Sequence, residues 1–253
     1  MNMLKEIRLL TGRMLRAGSR NPVFIFMGVI TPLMYLALFS PLLKTFAVNG
    51  SLPTTNILDL FVPGMLPIIA FSTGIFTGFG LIDELRSGVI ERFRVTPASR
   101  FAILSGFVAY DVCATLFQSA LFILIAIPFG FRTSLLGLVI LFFFLVLLAA
   151  ITSAFGNAIA VLVKSEDRYA PIVHGINLPL MLLSGSLLPI SLAPLWLKVI
   201  AHFNPLYYVV EASRDLAWGR IGTTSVLYSF LILTAFCALA LKWATSVFRK
   251  AVT

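Results

Sequence analysis

Few side chains in this sequence can do chemistry in apolar surroundings, and their spacing limits which chemistry that is. Asp111 is the one acidic residue inside a long apolar run, with Cys113 two residues further along the same run, while His174 lies in a second and Cys237 in a third. A carboxylate at mid-membrane costs about 2.5–3.5 kcal/mol on insertion scales, so Asp111 is expected to face water, a partner or the inside of a bundle. Asp111 with His174 would be the pair to carry protons. No nucleophile–base or metal-ligand spacing joins Asp111, His174 and the cysteines, which weighs against a membrane-embedded enzyme. No catalytic residue and no metal ligand is predicted, and the cysteines read as small apolar residues. Gln118, Asn157, Asn177 and His174 are expected either to line a pathway or to join helices by hydrogen bonds worth about 1 kcal/mol each.

The elements that must position these groups follow from composition. Of 253 residues, 59% are hydrophobic and 11% are charged, against about 25% charged in a soluble domain. Uncharged runs of 23, 23, 20, 31, 29 and 21 residues begin at Asn21, Leu60, Val112, Thr133, Tyr169 and Ile221. Each can cross about 30 Å of hydrocarbon as a helix, and none alternates with the period of two that a barrel strand needs. The fold class is all-α and polytopic, a single transmembrane domain over 1–253 with spans near 22–43, 60–81, 102–127, 134–163, 171–190 and 226–248.

With these spans, fourteen Lys and Arg residues fall on one side and five on the other. By the positive-inside rule both termini are cytoplasmic, and the net charge of +9 belongs at a membrane surface rather than on nucleic acid. Residues 1–20 place Met3, Ile7, Leu10 and Met14 at helical spacing, with Lys5, Arg8, Arg13 and Arg16 around the rest. This pattern predicts a basic amphipathic helix on the inner leaflet, in contact with lipid.

Two segments are too polar for lipid and too patterned for plain loops. Residues 83–97 combine both signs of charge with Val89, Ile90 and Phe93, and Pro97 predicts a helix stop near Val95. This is a docking helix with an apolar ridge. On the other side, 191–220 holds Asn204-Pro205, which would cap and start a helix running to Trp218. Glu211 and Arg214 are then three apart, a pair expected to be exposed and to contribute about 0–1 kcal/mol. Gly74-Ile75-Phe76-Thr77-Gly78 permits close helix packing without identifying the partner helix.

A specific resemblance rests on two blocks. Val62-Pro63-Gly64 precedes a span followed by Asp83-Glu84, Gly88, Glu91-Arg92 and Val95-Thr96-Pro97-Ala98-Ser99-Arg100. Further on come Leu183-Ser184-Gly185 with Pro189, then Asn204-Pro205-Leu206-Tyr207-Tyr208, Arg214 and Trp218-Gly219. In order and spacing these resemble the ABC-2 type transporter permeases, and most of all the drug-exporter permeases of the daunorubicin-resistance type.

The resemblance implies a coupling helix at 83–97, with Glu84, Arg86, Gly88, Glu91, Arg92, Phe93 and Pro97 in the surface that docks a separate ATP-binding subunit. Residues 1–20 would be the interfacial helix beside it, and 191–220 a re-entrant hairpin near the outer mouth. A second permease copy or a related permease would complete the pore. ATP and Mg would be bound by the partner, since none of the seventeen glycines here precedes a lysine and a phosphate-cradling G-x-x-x-x-G-K loop is therefore absent. The expected activity is export of a hydrophobic or amphiphilic substrate across a cell membrane. The alternative is a proton-coupled secondary transporter using Asp111.

Overall fold

The computed structural model describes residues 3–20, 23–48, 57–88, 100–187 and 189–251, and all regular structure among them is helical. The elements are α1 (Met3–Arg20), α2 (Val23–Val48), α3 (Ile57–Phe76), α4 (Gly78–Arg86), α5 (Arg100–Ala126), α6 (Leu135–Val163), α7 (Glu166–Leu183), α8 (Leu195–Ala201), α9 (Pro205–Ala217) and α10 (Thr224–Ala251). Short 3-10 turns lie at Ile127–Phe129 and Ile190–Leu192.

Among the described residues, four stretches are long and apolar enough to cross a membrane: Leu58–Arg86, Phe101–Phe129, Leu135–Val163 and Thr224–Phe248. In the place of the first expected span, α2 runs for 26 residues from Val23 to Val48. In the place of the fifth, α7 has 18 residues and bears Glu166 and Asp167 in its first turn. At 1.5 Å per residue its length is about 27 Å, just short of the hydrocarbon thickness.

The column at the centre is α3, where Phe61, Val62, Met65, Leu66 and Ala70 are wholly buried against α6, α9, α5 and α2. Glycine sets its closest approach. A Cβ on Gly74 would strike Thr152 and the Ser153 amide nitrogen, and one on Gly156 would lie 2.8 Å from the Gly74 carbonyl. Gly74 and Gly78 thus serve an intramolecular face toward α6 and α7. Just beyond, α3 gives way to α4 at Thr77, where the Tyr169 hydroxyl donates to Ile75 O at 2.6 Å and reaches Gly156 O at 3.2 Å.

The helix leaving the second expected span runs on to Arg86, five residues past 81. Asp83 to Arg86 therefore form its last turn, and Gly88 then adopts φ +70, a left-handed conformation that ends a helix and suits glycine. A docking element would accordingly begin after a turn at Gly88. Residues 89–99, with Glu91, Arg92, Phe93, Pro97 and the expected stop at Val95, lie outside the described residues.

Candidate functional site

The groups singled out by sequence fall into three places. The first is a buried polar layer between α3, α5 and α6. Asp111 is 2% exposed, and it accepts a hydrogen bond from Ser153 Oγ. Ser153 in turn accepts from Asn157 Nδ2 at 3.2 Å, and Thr77 also hydrogen-bonds Asp111. Helical spacing explains the assembly: 153 and 157 share one face of α6, while 111, 115, 118 and 119 share one face of α5. Gln118 Oε1 accepts from Thr73 Oγ1 at 2.7 Å, which joins the layer to α3.

The remaining two polar candidates lie elsewhere. Asn177 pairs with Ser72 at 3.5 Å. His174 is exposed and packs on Phe76 with ring centroids 5.2 Å apart, taking no part in the hydrogen bonds of Asp111. Ser153, Thr77, Thr73, Thr115 and Ser119 complete the layer without having been singled out by sequence. The i, i+4 recurrence of hydroxyls after Asp111 was the available signal.

The second place is the charged end where α1, α4 and α7 meet. Arg13 pairs with Glu84, and Arg86 pairs with Glu166 at 3.3 Å. The face of α1 bearing Leu10 and Met14 packs on the core, and Thr11 Oγ1 reaches Gly106 O at 3.4 Å. Lys5, Arg8, Arg13 and Arg16 are exposed. So α1 is seated on α5 by its apolar face and linked by charge to the end of α4, from which residues 89–99 continue. Glu166 was the missed member, and it is near because only Lys164 and Ser165 separate α6 from α7.

The third place is the opposite end. Asn204 Oδ1 accepts from Leu206 N at 3.0 Å as an N-cap, and Pro205 opens α9. Asn204 Nδ2 donates to Leu180 O at 2.7 Å, tying the cap to the end of α7. The expectation that the Glu211–Arg214 pair is exposed does not hold, because α9 is inserted between α3, α6 and α10 and Arg214 is 3% exposed. Its guanidinium donates to Leu60 O at 3.3 Å, Gly185 O at 2.6 Å and Ser186 O at 3.4 Å, and to Glu211 at 2.8 Å. Leu60 lies in the first turn of α3, and Gly185, at φ +77, turns the chain after α7, which brings these carbonyls to the guanidinium. Burial pulls the guanidinium below its ordinary proton affinity, and Glu211 opposes the shift. Gly64 leaves the room, since a Cβ there would sit 2.9 Å from Ser186 O and 3.3 Å from Arg214. Val62-Pro63-Gly64, Leu183-Ser184-Gly185 and Arg214, far apart in sequence, thus form one junction.

By contrast, α8 presents Leu195, Trp196 and Val199 outward, and Phe203 just after it is exposed as well.

The ABC-2 type transporter family matches residues 5–218. The chain is 29% identical over 215 residues to a putative transport permease, ycf38, of Cyanophora paradoxa, covering 84% of this chain and 74% of that protein. It is 26% identical to the daunorubicin resistance ABC transporter permease protein DrrB1 of Streptomyces coeruleorubidus, over 83% of this chain and 74% of the relative. A probable doxorubicin resistance permease, DrrC, of Mycobacterium tuberculosis is 23% identical over 89% of this chain and 81% of its own.

Proposed function

Because the chain belongs to the ABC-2 type transporter family, a family of multi-pass membrane permeases, we propose that it is the permease subunit of an ATP-binding cassette exporter. A separate ATPase subunit binds ATP and Mg and docks where α1, α4 and α7 meet. A second permease copy or a related one completes the pore, and both termini face the cytoplasm. The observation that carries this reading is the linkage Arg13–Glu84 and Arg86–Glu166, which ties the middle of α1 and the start of α7 to the end of α4, from which residues 89–99 continue. A push on that segment reaches the interfacial helix, the central column and α7 together.

The cargo is a hydrophobic or amphiphilic molecule. Relatives named for daunorubicin and doxorubicin resistance support this class, and so does an interior whose polar groups are mostly hydroxyls and amides rather than rings of charge. The proton-coupled alternative paired Asp111 with His174, and the exposed position of His174 away from the Asp111 network speaks against that pair.

The test is purification from the native membrane in mild detergent, with mass spectrometry of what accompanies the chain. A nucleotide-binding subunit in near-equal amount, released by Glu91→Lys, is the expected result. Its absence even after crosslinking would refute the docking reading.

A further inference from the structure

The buried polar layer contains three atoms left without a hydrogen-bond partner among the described residues: Thr115 Oγ1, Ser119 Oγ and Asn157 Oδ1. All three residues are 0% exposed. Asp111, Thr115 and Ser119 recur every fourth residue along α5, a line about 12 Å long. The Asn157 amide joins the head of that line through Ser153. Each orphaned buried group costs about 1–3 kcal/mol, and three on one seam are stable only if a small polar molecule reaches them. Water serves this role in protein interiors by making 2–4 hydrogen bonds to such groups.

We propose that this seam holds internal water and that Asp111 is a proton-binding site fed through it. A hydronium ion in the seam gives its proton to the Asp111 carboxylate, leaving a water molecule and a neutral acid, and release is the reverse. Protonation re-aims the hydrogen bonds. An ionised Asp111 takes the Ser153 and Thr77 hydroxyls as donors, whereas the neutral acid donates one bond itself and frees a hydroxyl for another acceptor. Thr77 stands where α3 gives way to α4, so the state of Asp111 is felt at that joint.

Two phenols, Tyr110 on α5 and Tyr169 on α7, lie within electrostatic reach of Asp111. The faces of α3, α4 and α6 toward it present Thr77, Ser153 and Asn157, which do not titrate, and none of the described ion pairs includes Asp111.

The site needs no ATPase, so it is tested on the full chain alone, reconstituted into phosphatidylcholine–phosphatidylglycerol vesicles, by infrared difference spectroscopy as pH is stepped across neutrality. The expected result is a protonated-carboxyl band that grows reversibly on acidification, shifts on 13C labelling of aspartate and is missing in Asp111→Asn. In Thr115→Val and Asn157→Leu, which remove partners of the water, the midpoint moves toward alkaline pH by about one unit, a tenfold change. These variants and the isotope label decide the matter should Asp111→Asn fail to insert. An aspartate band that does not titrate, one that persists in Asp111→Asn, or midpoints unchanged in both seam variants would overturn the proposal.

Discussion

The two ends of this permease are held by ion pairs of opposite kind. At the end expected to face the cytoplasm, Arg13–Glu84 and Arg86–Glu166 lie at the surface, with Arg86 and Glu166 side chains 53% and 43% exposed. At the other, Arg214 is buried and spreads its donors over three carbonyls and one carboxylate. Exposed pairs contribute about 0–1 kcal/mol and are screened by salt. Glu211 keeps 36% of its side chain exposed, but loss of the buried Arg214 guanidinium leaves several buried carbonyls unpaired, each at about 1–3 kcal/mol. One end is therefore built to be rearranged and the other to stay assembled, as the proposed docking of an ATPase at the first end would require.

This contrast can be broken most directly at Arg214. Arg214→Ala is expected to lower stability in detergent by about 3–5 kcal/mol, read as an early thermal transition, because Leu60, Gly185 and Ser186 lose their donor. Next comes Gly156→Val, whose side chain must displace the Gly74 and Ile75 carbonyls; about 1–3 kcal/mol should be lost, with both ends destabilised alike. Tyr169→Phe strips the Ile75 and Gly156 carbonyls of a buried donor and should cost about 1–3 kcal/mol. Amide exchange that accelerates around residues 75–78 and nowhere else would localise the effect to the α3–α4 joint.

The smallest effect on stability, under about 1 kcal/mol, is expected for Arg86→Glu. The same variant should weaken association with the ATPase subunit, and adding Glu166→Arg should restore it. An unfolding shift as large as that of Arg214→Ala would abolish the distinction between the two ends.

Much of this arrangement was legible in the sequence. Uncharged runs located the long helices, and Asn204-Pro205 marked the start of α9 to the residue. The burial of α9 was not legible, because Glu211, Arg214 and Asp215 on a thirteen-residue amphipathic stretch are what a surface helix would show. Its charge is tolerated only because carbonyls of α3 and of the turn after α7 lie within reach, a tertiary fact that no local spacing encodes. Tyr169 was hidden in the same way by Glu166, Asp167 and Arg168 just before it. At Asp111 the sequence did better, since burial of a lone carboxylate follows from the cost of exposing it to lipid. Its partners came from a different helix, and only the recurrence on α5 announced a seam.

The glycine contact between α3 and α6 also has a mechanical consequence. Gly74 lies fourteen residues from Leu60, where Arg214 grips the column, and twelve from Arg86, where the surface pairs begin. At 1.5 Å per residue these are lever arms of about 21 Å and about 18 Å. With no room for the backbones to slide, a tilt of α3 and α4 moving together as the 29-residue stretch Leu58–Arg86 pivots at Gly74 as on a fulcrum. Spin labels at its two tips would then record displacements of similar size and opposite sense, so that the mechanism reverses direction without amplifying the stroke.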